Sequence, residues 1–292
     1  MDPILKAENL TYVYGEGTPF EKTAINNISL EIFSNDFIGV IGRTGSGKST
    51  LIQHFNGILR PTSGILRYEG NDCWAKGFSR SMLRFNVGLV FQYPEYQLFE
   101  ETVEKDIAFG PSNMGITAEE IEKRITESLH FVGLDDTLRK RSPFELSGGQ
   151  KRRVAIAGIM AMDPKVLILD EPTAGLDPKG RDEILQRISE YRAEKKSTVI
   201  IVSHNMEDIS RVCSKVLVMH DSRVEMFAPV KEVFERSEEL CAIGLNVPQI
   251  TRVFISLKEK GFNVPSSVYT PEQACSALLN VIGGEILPCQ VD

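Results

Sequence analysis

The nine residues Gly42-Arg-Thr-Gly-Ser-Gly-Lys-Ser-Thr50 constrain this chain more than any other segment. They match G-x-x-x-x-G-K-[ST], a pattern whose chemistry requires a strand before it and a helix after it. Both flanks comply. Phe37–Ile41 is a short apolar run suited to a buried strand, and Thr50–Leu59 carries a helical pattern. Gly42, Gly45 and Gly47, with Thr44, Ser46 and Thr50 between and after them, let backbone N–H groups close around phosphate oxygens. The helix N-terminus adds positive potential. Lys48 is placed to neutralise β- and γ-phosphates, and Ser49 to ligate Mg²⁺. The segment therefore predicts a nucleoside triphosphate as ligand.

A second segment supplies the matching acids. Val166-Leu-Ile-Leu-Asp-Glu171 is an apolar strand that ends in two carboxylates. In open α/β sheets ligands bind beyond the carboxyl ends of strands. Asp170 is expected to hold Mg²⁺ through water, and Glu171 to polarise an attacking water, roles suited to phosphoryl transfer. Phe37–Ile41, Val87–Phe91, Val166–Leu169 and Thr198–Val202 are near-continuous apolar runs, as strands covered on both faces require. Helical patterns alternate with them, so the fold class is α/β with a mainly parallel sheet.

Other regions differ in pattern. Leu5–Val13 and Ile25–Ile32 are expected as antiparallel strands joined by the Gly15-Glu-Gly-Thr-Pro19 loop. Residues about 72–86 and 100–145 are expected to be mostly helix, with Thr117-Ala-Glu-Glu120 a capping box. A helical subdomain is placed at about 93–162. The tail from 229 to 292 is expected to be a separate small helical unit after a nucleotide-binding domain over 1–228. In it, one helix starts at Pro248 with Val253, Phe254 and Leu257 inward, and Thr270-Pro-Glu-Gln273 caps another over Ala274–Ile282.

The 292 residues carry a net charge of −7, so nothing in the global charge points to nucleic acid. The basic runs Arg139-Lys140-Arg141 and Lys151-Arg152-Arg153 are expected on solvated helix ends or faces. Cys73, Cys213, Cys241, Cys275 and Cys289 are odd in number and lack metal-ligand spacing, so they are expected to be reduced thiols. The N-terminal MDPILKAENLTY has no basic-then-apolar leader, and no apolar run reaches the length of a membrane span.

Leu146-Ser-Gly-Gly-Gln150 opens a further helix, with Ser147 as N-cap and Gly148 and Gly149 leaving its amides exposed. A capped helix start explains the pattern locally. It is also a second anion-binding helix end, although one nucleotide needs only one P-loop. A site shared between two chains would use both.

From here the resemblance is plain. LSGGQKRRVAIAGIMAMDPKVLILDEPTAGLDP, taken with the P-loop, resembles the signature-to-Walker-B block of ABC-family ATPases, over about residues 4–230. The resemblance implies a RecA-like core sheet, an N-terminal antiparallel β subdomain, a helical signature subdomain, and ATP with Mg²⁺ as ligands. It also implies two such domains sandwiching two nucleotides head to tail. Tyr14 stands where the family's adenine-stacking aromatic is expected, with Tyr12 a close competitor. Gln92 resembles the glutamine that senses Mg²⁺ and water, and His204 the histidine that contacts the γ-phosphate. Asp177, in Gly175-Leu-Asp-Pro178, resembles the D-loop aspartate and could equally be an N-cap.

Finer similarity narrows the branch. GTPFEKTAINNISLEI, FQYPEYQLFEETVEKDIAFGPSNMG and Gly244-Leu-Asn-Val-Pro248 resemble ATPase subunits of energy-coupling factor transporters, which power uptake of vitamins and transition metals. The match is nearer to the second of the paired A subunits. That implies a sister ATPase in a heterodimer, a membrane coupling subunit, an exchangeable membrane substrate-binding subunit, and a place at the cytoplasmic face of the membrane. The C-terminal unit would help hold the ATPases together. Tyr93–Phe99 is expected to dock the coupling subunit, with internal packing of these aromatics as the alternative. Competing readings are the ATPase of another importer or exporter, and an ABC ATPase acting on nucleic acid.

Overall fold

The computed structural model of the chain describes residues 2–265 and 267–282. Cys289 and the final ten positions of the expected C-terminal unit lie outside the described residues.

Two sheets organise the fold. The first is antiparallel and runs in the order β2-β1-β4-β5. It contains β1 (Leu5–Tyr14), β2 (Lys22–Ile32), β4 (Ser63–Tyr68) and the short β5 (Asn71–Asp72). The expected hairpin of β1 and β2 is present at one edge of it, with Leu5 opposite Ile32 and Tyr14 opposite Lys22. The second sheet runs β10-β9-β3-β8-β7-β6. Its strands are β3 (Phe37–Gly42), β6 (Val87–Val90), β7 (Val166–Asp170), β8 (Thr198–Val202), β9 (Lys215–His220) and β10 (Arg223–Pro229). All its pairings are parallel except β9 with β10.

Every residue of β3, β6, β7 and β8 is buried or nearly so, which explains their unbroken apolar sequences. Alternate side chains still serve different cores, because successive residues of a strand point to opposite faces. Leu167, Leu169, Val199 and Ile201 join one core beneath the helices. Ile168, Ile200, Ile38 and Val40 join a second core, shared with the antiparallel sheet and with α1 (Lys48–Phe55).

Between β5 and β6 only α2 (Arg80–Asn86) is helical, so the expectation of helix from residue 72 is corrected. Residues 73–79 turn around Cys73, which is buried, and Ser79 caps α2. After β6 come a 3₁₀ turn at Pro94–Gln97, α3 (Val103–Ser112), α4 (Ala118–Val132) and α5 (Gly148–Met160). Thr117 caps α4 as expected, and Ile125, Leu129 and Val132 point inward. Then α6 (Pro178–Lys195) and α7 (Met206–Val212) follow β7 and β8.

At the C-terminal end, α8 (Val230–Glu235) and α9 (Ser237–Ala242) still contribute Val230, Phe234 and Leu240 to the large core. A small separate core of Phe254, Val264, Val268 and Ala274 holds α10 (Gln249–Glu259) and α11 (Pro271–Ile282) together. Phe254 is buried as expected, but Val253 is half exposed and faces outward. One helical step of about 100° separates the two residues, so both cannot point into one small core. Among the described residues no helix is long and apolar enough to cross a membrane.

Candidate active site

Strand order determines what meets at the carboxyl edge of the parallel sheet. β3, β8, β7 and β6 lie side by side. Val40 and Asp170 both stand opposite Val202, and Val90 opposite Leu169. The segments that follow these strands therefore emerge together: the P-loop, His204, Asp170-Glu171 and Gln92. They enclose a cleft of about 320 Å³ lined by Tyr14, Thr44, Gly45, Gly47, Lys48, Ser49, Thr50, Gln92, Asp170, Glu171 and His204.

The P-loop backbone needs its glycines at specific points. Gly47 has φ +101°, and a Cβ there would lie 2.3 Å from the Ala24 carbonyl oxygen. Gly45 has φ +82°, yet a Cβ on it would meet nothing within 4 Å. Open space therefore lies beside Gly45, which lines the cleft, whereas Gly42 and Ser46 do not line it. The buried Ser46 hydroxyl has no hydrogen-bond partner. Lys48 is buried and donates to the carbonyls of Gly42 at 2.7 Å and Arg43 at 3.0 Å. Burial lowers its pKa, while the Glu171 and Asp170 carboxylates work against that. A desolvated ammonium with only carbonyl partners is ready to accept a strong anion.

Ser49 Oγ donates to Asp170 Oδ2 at 3.2 Å across the cleft floor. Burial raises the Asp170 pKa, and the Ser49 bond opposes it. This hydroxyl–carboxylate pair suits a hard divalent cation. No group of three or more His, Cys, Asp or Glu side chains that could hold a metal occurs among the described residues. A cation here would take its other oxygens from phosphate and water, which is how Mg²⁺ is usually held.

Glu171 continues from β7 with φ +52°, and its amide donates to Val202 O at 2.9 Å. That bond to β8 turns its carboxyl into the cleft. Oε1 is buried and has no hydrogen-bond partner, while His204 Nε2 lies 3.6 Å away. Burial, followed by the Asp170 charge, pushes the Glu171 carboxyl up to about 7. Burial and then Lys48 lower the His204 pKa, favouring neutral imidazole. A carboxyl that ionises near neutrality beside a neutral imidazole can take up a proton.

Not every expected residue joins this cleft. Ser147 caps α5 and completes a capping box with Gln150, at 3.3 Å and 3.0 Å. Ser147 and Gly148 are exposed, and Cβ atoms at Gly148 or Gly149 would meet nothing within 4 Å. These residues do not line this chain's cleft, nor does Asp177, which caps α6 through Gly180 N at 2.7 Å. Tyr14, not Tyr12, lines the cleft, and its hydroxyl lies 3.3 Å from Thr50 Oγ1.

Sequence reasoning missed Lys22, Ala24 and Val202 in the cleft lining, and the burial of Arg152. Lys22 and Ala24 line the cleft opposite the end of β1. The pairing of Lys22 with Tyr14 makes it legible once the hairpin register is known. Arg152, expected on a solvated face, is buried. Its guanidinium pairs with Glu95, donates to Ala174 O, and lies 5.9 Å from the Tyr93 ring centroid. It thus joins α5 to the segments after Gln92 and after Glu171. Basic composition hid this, since only the packed fold reveals a carboxylate partner at Glu95.

The family profile described as ABC transporter matches residues 25–174. Energy-coupling factor transporter ATP-binding protein EcfA2 of Clostridium tetani (strain Massachusetts / E88) is 54% identical over 286 residues, 98% of this chain and 99% of that protein. Among solved structures, cbiO1 from Clostridium perfringens, part of the ABC transporter complex cbiONQ, aligns with a TM-score of 0.73 at 40% identity. That alignment covers 87% of this chain and 99% of cbiO1. The ATP-binding cassette MJ0796, solved as a post-hydrolysis dimer with ADP and Pi, aligns at 0.68 and 27% identity, over 77% of this chain and 98% of that one. With the P-loop, the Asp170-Glu171 strand end and the capped Ser147 helix all in place, the chain belongs to the ABC transporter family of ATPases, among the energy-coupling factor transporter ATP-binding proteins.

Proposed function

We propose that this chain binds ATP in the cleft above β3, β8, β7 and β6 and hydrolyses it to power an energy-coupling factor transporter that takes up vitamins or transition-metal ions. One observation carries the reading. Lys48, the Ser49–Asp170 pair and the buried Glu171 facing His204 share one cleft, while the anion-binding start of α5 lies outside it. The cleft has the parts to bind and attack a triphosphate, and lacks the second helix end that a partner would supply.

In this reading Lys48 neutralises the β- and γ-phosphates. Ser49, Asp170 and Gln92 would hold Mg²⁺, which supplies neutralisation of phosphate charge. Glu171 orients a water and takes its proton as the water oxygen bonds to the γ-phosphorus. The bond from the γ-phosphorus to the bridging oxygen breaks, leaving ADP and phosphate. His204 donates to the γ-phosphate. Ser147, Gly148, Gly149 and Gln150 of this chain close over the nucleotide of a sister ATPase, with Asp177 at the same interface. The chain sits at the cytoplasmic face of the membrane, held by a coupling subunit and a substrate-binding subunit. Residues 1–228 act as the ATPase domain, and the helices beyond 229 as its accessory to pairing.

The segment after Gln92 supports a docking role. Tyr96 is 85% exposed and Phe99 58% exposed, beside Phe109 and the acids Glu100 and Glu101. Leu98 differs from the expectation for this segment, because it is buried in the main core and cannot serve as a surface anchor.

Glu171→Gln tests the central role. The variant chain should bind ATP as wild type does, and the assembled transporter should lose turnover at this site by about a hundredfold or more. Turnover at this site equal to wild type would remove Glu171 from the reaction.

A further inference from the structure

At the Tyr14 end of the cleft, four residues close a ring of contacts. The Tyr14 hydroxyl lies 3.3 Å from the Thr50 hydroxyl. One turn along α1, the Thr50 carbonyl accepts a 2.7 Å hydrogen bond from His54 Nδ1. The His54 ring meets the Tyr12 ring nearly edge-on, with centroids 4.9 Å apart. Tyr12 in turn meets Tyr14 edge-on at 4.8 Å. The ring runs from core to solvent: His54 is fully buried, Tyr12 half-buried, and Tyr14 42% exposed.

We propose that His54 is a positioning residue for nucleobase binding, holding the Tyr14 ring at the cleft mouth through Tyr12 on one side and Thr50 on the other. The inference rests on the reading that Tyr14 stacks on the base, and deepens it.

The chemistry of the site favours histidine in this place. A carbonyl only accepts, so Nδ1 carries the proton and the ring orientation is set. Burial lowers the His54 pKa, which keeps the ring neutral. Nε2 is buried and has no hydrogen-bond partner. A leucine or phenylalanine would fill this volume without leaving a nitrogen unsatisfied. What histidine adds is the bond to the Thr50 carbonyl together with an aromatic edge on Tyr12. An exposed tyrosine has two free torsions, and a base that must order them loses affinity. The Tyr12 edge contact and the Thr50 hydroxyl hold the Tyr14 ring before the base arrives. Because α1 also carries Lys48 and Ser49, the platform is fixed relative to the phosphate site.

The test compares two ligands of the full-length chain, Mg²⁺-ATP and Mg²⁺-tripolyphosphate, the second having no base. His54→Leu keeps the volume but removes both links. It should weaken ATP about three- to tenfold, the worth of an aromatic pair, and leave tripolyphosphate within about twofold. Tyr12→Leu should repeat this pattern and decides the matter if His54→Leu does not fold, while Tyr12→Phe should bind as wild type. Tyr14→Ala combined with His54→Leu should be no weaker than Tyr14→Ala alone. Equal losses for both ligands, additive losses in the double variant, or unchanged ATP affinity in His54→Leu and Tyr12→Leu would each overturn the proposal. Wild-type ATP affinity in Tyr14→Ala would instead overturn the stacking reading itself, and the positioning role with it.

Discussion

His204 Nε2 lies 3.6 Å from Glu171 Oε1, facing it without a formed hydrogen bond. The separation follows from the sheet. β7 and β8 pair with Asp170 opposite Val202, and the Glu171 amide bonds to the Val202 carbonyl. The two side chains thus project from adjacent strand ends into one cleft. Glu171 adopts φ +52° to do so, a conformation that costs a non-glycine residue about 1 kcal/mol or more. Backbone strain and a buried carboxyl oxygen without a hydrogen-bond partner at one position mark a site organised for chemistry at the expense of stability.

That cost has a pH signature. Burial, with Asp170 adding to it, pushes the Glu171 carboxyl up to about 7, so the folded chain holds this proton more tightly than the unfolded chain does. Stability is therefore lost as pH rises from the ordinary glutamate range through about 7. Nucleotide-free Glu171→Gln should melt about 2–4 °C above wild type at pH 8 and close to it at pH 5, as read by scanning calorimetry. A difference that does not change with pH would refute the raised pKa. For wild type, kcat/KM should fall below about pH 7, because a base must be unprotonated to accept a proton.

The exposed start of α5 separates binding from turnover. Ser147 accepts from Gln150 N and caps the helix, so Ser147→Ala should cost about 1 kcal/mol of stability. Affinity of the single chain for ATP should stay unchanged, since Ser147 lies outside its cleft. ATPase of the assembled pair should fall about tenfold or more, as when one oriented donor is removed from a reaction site. Weakened ATP binding in the single chain would place Ser147 in its own site and contradict the shared one.

Tyr96 and Leu98 sit two residues apart with opposite exposures, which divides their expected phenotypes. Tyr96→Ala should change stability by under about 0.5 kcal/mol while reducing co-purification with membrane subunits. Leu98→Ala should cost about 2–4 kcal/mol through an unfilled cavity in the main core. Denaturant melts and subunit pull-downs from detergent extracts measure both. Undiminished co-purification of Tyr96→Ala and Phe99→Ala chains would remove the docking role.

Much of the molecule is legible in one dimension because its chemistry is local. The P-loop must follow a strand and open a helix, so Gly42–Thr50 locates both elements. Apolar runs with no polar face predicted strands buried on both sides, and β3, β6, β7 and β8 are such strands. Thr117, Ser147 and Asp177 cap their helices through bonds that span three residues, a distance that sequence spacing encodes directly. The errors also have a shared cause. Arg152, Leu98 and Val253 each belong to a class whose burial depends on what lies across from it. For Arg152 that is Glu95, for Leu98 the main core, and for Val253 a small core already filled by Phe254.

By itself the sequence determined the ligand class, the strands that deliver the acids and the capped starts of the helices, because each depends on residues adjacent in the chain. Only the tertiary structure decided that Tyr14 and not Tyr12 reaches the cleft, that Lys22 stands beside it, and that His204 comes within 3.6 Å of Glu171. It also decided that Ser147 does not line its own chain's cleft. Those outcomes rest on sheet order and strand register. Both are set by long-range packing of two cores, and no local spacing in the chain records them.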